Sequence, residues 1–103
     1  MAKLTLTASP TFTAKVAIPV PGGKSVPVEF KFKGRTKDEF KDLMETLSEF
    51  EDAEAIMEIA SGWDLEDVFS ADNVEKLVQN YIGSAKAILE TYITQLTAAR
   101  LGN

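Results

Sequence analysis

Phe12-Thr13-Ala14-Lys15-Val16-Ala17-Ile18, then Pro19-Val20-Pro21-Gly22-Gly23-Lys24-Ser25, then Val26-Pro27-Val28-Glu29-Phe30-Lys31-Phe32 form the stretch that decides the fold. In the first part Phe12, Ala14, Val16 and Ile18 alternate with Thr13, Lys15 and Ala17. In the last, Val26, Val28, Phe30 and Phe32 alternate with Pro27, Glu29 and Lys31. Alternation with period two gives a strand one apolar and one polar face. The middle part places two glycines after a proline, which is turn chemistry. The pattern predicts an antiparallel β-hairpin whose apolar face must be covered by the rest of the chain.

Beyond the hairpin the pattern turns helical. Gly34-Arg35 breaks the second strand, and Thr36-Lys37-Asp38-Glu39 is a capping box, with Thr36 and Glu39 satisfying one another's backbone amides. Asp38 and Glu39 also suit the positive end of a helix dipole. Phe40, Leu43, Met44 and Leu47 then recur at helical spacing, so a first helix is expected from Lys37 to about Ser48. A second is expected from about Asp52 to Ser61, with Ala53, Ile56, Met57 and Ala60 as its apolar stripe. Gly62 supplies a left-handed stop. Trp63 to Phe69 reads as a loop with large apolar anchors.

Ser70 suits the N-cap of a third helix, Ala71 to about Tyr81, buried through Val74, Leu77, Val78 and Tyr81. Ser84 caps a fourth, Ala85 to about Leu101, with Arg100 in its last turn and Gly102 beyond. Residues 1–11 hold either a third, edge strand, with Leu4 and Leu6 alternating with Thr5 and Thr7, or a flexible tail. The fold expected is α+β, an N-terminal hairpin packed against about four helices in one domain spanning 1–103.

With 103 residues and 45% hydrophobic content the chain can build one core. It contains neither cysteine nor histidine. Disulfides, zinc sites, thiol nucleophiles and His-dependent triads are therefore excluded. Met1-Ala2-Lys3-Leu4-Thr5 lacks the apolar run and cleavage pattern of a signal peptide. No apolar run approaches the ~18 residues of a membrane span.

The net charge of −5 hides an asymmetry. Residues 1–37 carry seven basic side chains and one acid, a balance of +6, whereas residues 38–75 carry fourteen acids and one base, a balance of −13. Either the two faces are solvated and attract one another, or one steers a charged partner. Nucleic acid is a poor partner for this chain, because its few basic residues are not interleaved with aromatics.

No constellation carries chemistry. Glu45, Glu49 and Asp52, or Glu54 and Glu58, share the wet edge of a helix rather than facing one another across a cleft as a glycosidase pair does. Asp64 to Glu75 has acids at the first and twelfth positions of a calcium loop, but Phe69 stands where that loop needs glycine. Pro21-Gly22-Gly23-Lys24-Ser25 lacks phosphate-loop spacing and joins two strands instead of opening a helix. No cofactor is implied. The residues themselves describe a non-enzymatic binding domain.

Trp63, the single tryptophan, is either a buried staple or an exposed anchor for a partner. Met44 and Met57 are adaptable contacts if they reach a groove and core filling if they do not. Tyr81 and Tyr92 read as core residues with a wet hydroxyl. A hairpin with an exposed edge allows a homo-oligomer, which Pro19, Pro21 and Pro27 would discourage.

Several stretches, taken in order, resemble the small tail assembly chaperones of long-tailed bacteriophages and prophages. They are Phe12 to Gly23, Phe30 to Glu39, Gly62-Trp63-Asp64-Leu65, Phe69 to Val74, Ala87-Ile88 through Tyr92, and Leu96 to Asn103. The chain departs from the family pattern at Gly34, where members often carry histidine, and near Ile82, where they carry proline. Neither change is expected to break the fold.

The resemblance implies a chaperone that coats apolar helical segments of the tape measure protein and helps recruit major tail tube protein before the tube polymerises. It implies action in the bacterial host cytoplasm and absence from the mature virion. It also implies an extended form made by frameshift in related phages, and no catalytic residues. Two other functions compete: a structural tail or connector protein kept in the virion, and an acidic DNA mimic that blocks a host enzyme.

Overall fold

The structure, a computed structural model, describes residues 4–98. Strands β1 (Thr11–Ile18) and β2 (Val26–Lys33) form the expected antiparallel hairpin, with Phe12 opposite Phe32, Ala14 opposite Phe30 and Val16 opposite Val28. One face is therefore apolar along its whole length. Between the strands, the amide of Gly23 donates to the carbonyl of Val20 at 3.0 Å. Pro21 and Gly22 occupy the turn's centre. Gly22 has φ +74°, the left-handed value that the third residue of a type II turn requires.

The third strand comes from an unexpected place. Leu4 to Pro10 form no strand; Leu4 and Leu6 are exposed. Instead β3 (Ala60–Trp63) pairs antiparallel with β2 in the order β1-β2-β3, setting Phe30 opposite Trp63 and Lys31 opposite Gly62. The expected helix through Ser61 thus stops two residues early. Ala60 turns extended at φ −126°, ψ 153°, and Gly62 is not left-handed. The strand satisfies backbone groups on the far edge of β2. It also lays Trp63 edge-on against Phe30, with centroids 6.0 Å apart.

The helices are α1 (Lys37–Thr46), prolonged by one 3-10 turn at Leu47–Glu49, α2 (Asp52–Ile59), α3 (Ala71–Asn80) and α4 (Ser84–Thr97). The capping box at Thr36 and Glu39 forms as expected. A second box, Glu51 with Glu54, starts α2. Ser70 caps α3 through the amide of Asn73 at 3.2 Å. Ser84 does not cap α4. Gly83 takes that position, and the buried Ser84 hydroxyl has no hydrogen-bond partner among the described residues. The last helix closes at Thr97 on left-handed Ala98, earlier than expected. Arg100 and Gly102 lie outside the described residues.

The core joins the inner face of the sheet (Val16, Ile18, Val28, Phe30, Phe32) to Ile56 and Ile59 of α2, Val74 of α3, and Ile88 and Tyr92 of α4. Tyr92 corrects the expectation of a wet hydroxyl. It is fully buried, donates to the carbonyl of Lys33 at 2.8 Å and accepts from Arg35 Nη1 at 2.9 Å. Arg35 also donates to the carbonyl of Glu58 at 2.9 Å and pairs with its carboxylate at 3.5 Å. Lys33 Nζ reaches the carbonyl of Met57 at 3.1 Å. These bonds fasten the open end of the hairpin to α2 and α4. Gly34 sits in the same place. A Cβ there would meet the carbonyl oxygen of Ser9 at 2.8 Å, so a histidine at this position needs the Ser9–Pro10 segment to move. Among the described residues no helix is long and apolar enough to cross a membrane.

Candidate functional site

At the turn end of the hairpin, beyond the last residue of β3, the three-stranded sheet narrows to two strands. Ile18, Val20, Val26 and Val28 there join Trp63 and Leu65, Leu77 of α3, and Tyr81 just beyond α3. They enclose a cleft of about 500 Å³. Of the lining residues Val26 is 50% exposed, and Val68 and Ile82, which follow the lining residues Asp67 and Tyr81 in the chain, are 74% and 84% exposed. Contiguous apolar surface on the outside of a small protein marks an interaction site more often than chance.

The segment between β3 and α3 is held in shape by its own side chains. The Trp63 indole donates to the carbonyl of Asp67 at 2.7 Å. Asn73 Nδ2 donates to the carbonyl of Val68, also at 2.7 Å. The amide of Glu29 donates to Asp64 Oδ1, and the amide of Asp64 returns a bond to the carbonyl of Glu29, both at 3.0 Å. Trp63 is further wedged edge-on against Phe69 at 5.1 Å. The cleft is thus presented on a fixed frame, which lowers the entropy lost when something binds.

Of the residues singled out from the sequence, Trp63 lines this cleft and braces its floor. Met44 and Met57 do not reach it. Both are half-buried and pack against the core. Tyr81, expected in the core, is 37% exposed and forms part of the cleft wall. The sequence reading missed Val20, Val26 and Leu65. Their signals were Val20 as an apolar side chain inside the turn segment, Val26 in the strand alternation and Leu65 among the large apolar anchors of the loop after Trp63.

A second, open cavity of about 450 Å³ lies at the opposite end, among Arg35, Glu39, Asp42 and Glu58. Arg35, Glu39 and Glu58 there already serve the fold. Hydrogen bonds from the Thr36 backbone amide and then its hydroxyl, with help from Arg35, hold the Glu39 carboxyl below its ordinary range. Among the described residues no group of three or more acidic side chains gathers to hold a metal ion. What the geometry offers is an apolar receptor on a stiff α+β frame.

The whole chain, residues 1–103, matches the family described as phage tail assembly chaperone, and it belongs to that family. No curated protein and no solved structure matches it.

Proposed function

We propose that this protein is a holdase for the tape measure protein, sheltering its apolar helical segments and helping to bring tail tube subunits to it before the tube polymerises. It acts in the host cytoplasm, makes no chemical change to its partner, and leaves before the virion is finished. Family membership and the apolar cleft between the hairpin turn and α3 support this reading, and the cleft is the observation that carries it. Amphipathic helices are commonly recognised by laying their apolar face into such a groove. The net charge of −5 suits a carrier that must stay dispersed while loaded.

The test is co-expression of the tagged chain with the tape measure and tail tube proteins encoded beside it. Retention of the tape measure protein on the tag at modest salt is expected. Loss of it, or stoichiometric presence of this chain in purified tails by mass spectrometry, overturns the reading. The second result would assign a structural role instead.

A further inference from the structure

We infer that the cleft receives an α-helix, not a strand, and that this helix carries Lys or Arg along the side that faces the acidic β3–α3 loop at Asp67. The inference rests on the holdase reading and specifies the chemistry of the segment held.

Strand addition is closed off first. The cleft borders the stretch of β2 that β3 leaves uncovered, and an unpaired edge is the usual seat for an incoming strand. The two donors that edge would offer are absent. The amide and carbonyl of Glu29 face β3, where the amide is taken by Asp64 Oδ1. Two residues back along the strand, Pro27 faces the same way, and proline has no N–H to give. An extended peptide laid there would leave its own carbonyls unpaired.

A small polar ligand fits no better. Asn73 and Asn80 on the α3 wall spend their amide donors on the carbonyls of Val68 and Lys76. Val68 and Ile82, which follow the lining residues Asp67 and Tyr81 in the chain, are exposed as well and leave apolar side chains open to a partner longer than the cavity. A volume near 500 Å³ takes on the order of two or three large side chains, which is what one ridge of a helix at i, i+3 or i+4, and i+7 presents.

Charge then sets the flank. Asp67 lines the cleft, its neighbour Glu66 is exposed beside it on the β3–α3 loop, and among the described residues neither sits in an ion pair. The α3 wall carries Lys76 instead. The two walls thus differ in sign, and the basic residues of the partner belong on the loop side alone. Complementary rims of this kind select partner and orientation more than they add affinity.

The experiment uses the full-length protein and two stapled helical peptides, about 18 residues each, with one shared leucine ridge and either lysines or glutamates along one flank. Binding is followed by Trp63 fluorescence and peptide anisotropy. The lysine peptide is expected to bind at least about tenfold more tightly at low salt, with the gap closing as salt rises. Glu66→Lys with Asp67→Lys should reverse the preference. Val26→Asp should abolish binding of both peptides while circular dichroism shows the fold intact.

Equal binding of the two peptides, indifference to the Glu66→Lys and Asp67→Lys pair, or undiminished binding by Val26→Asp overturns the assignment. A folded Val26→Asp protein that still retains the tape measure protein also overturns it and leaves the holdase reading standing. Failure of the parent protein to retain that partner defeats the holdase reading itself.

Discussion

The two ends of the hairpin do opposite things. At the open end, Arg35, Lys33 and Tyr92 spend their polar atoms on backbone carbonyls and on one another. At the turn end, the polar groups fix a loop, and the apolar side chains are left facing outward. A row of rings joins the ends. Tyr92 packs on Phe32 at 5.3 Å, Phe32 on Phe30 at 5.7 Å, Phe30 on Trp63 at 6.0 Å, and Trp63 on Phe69 at 5.1 Å. The contrast shows how a chain this small supports an exposed apolar surface. Cohesion is gathered at one end, and the other is braced from beneath.

If that division is correct, substitutions should separate stability from binding, and the largest stability effect belongs to the fastened end. Tyr92→Ala should cost about 3–5 kcal/mol in urea unfolding, since it removes a fully buried ring and strands its two partners. A cost under about 1 kcal/mol would break the comparison. Trp63→Ala, half-buried, should cost less, about 2–3 kcal/mol, and should also weaken retention of the tape measure protein. Tyr92→Phe keeps the ring and should cost about 1–3 kcal/mol while leaving that retention unchanged.

Glu39→Gln sharpens the contrast through pH. Because folding lowers the Glu39 pKa, its ionised form stabilises the protein at pH values above the ordinary carboxylate range. That contribution is lost as pH falls through the lowered folded value. The parent should therefore exceed the variant in stability near neutral pH, with the margin vanishing in strong acid. Smallest of all, Ile82→Ser should shift stability by no more than about 0.5 kcal/mol, because the side chain is 84% exposed, yet it should loosen partner binding.

Much of the frame was legible. Period-two alternation carries the hairpin because each residue's face is decided locally. Thr36 with Glu39, and Ser70, mark helix starts because a cap involves neighbours in the chain. The features that escaped depend on distant residues. Ala60-Ser61-Gly62-Trp63 is too short to show alternation and becomes a strand only because β2 has an edge to fill. Tyr92 looks like any helical aromatic until Arg35 and Lys33 arrive beside it. The cleft is hidden for the same reason: its walls come from the hairpin, the β3–α3 loop and α3, and none of the three segments is unusual alone. Trp63 stands out by its residue type, which says nothing about the Val20, Val26 and Tyr81 that share its site.

The bond from Tyr92 to the carbonyl of Lys33 spans 59 positions. A ribosome therefore releases the hairpin long before the helix that closes over it. Until α4 emerges, Phe12 and Phe32 lack the ring that packs against them both. Such a dependence on late, non-local contacts slows folding and leaves the nascent chain sticky. A member of an assembly chaperone family thus passes through its own exposed, aggregation-prone stage as it is made.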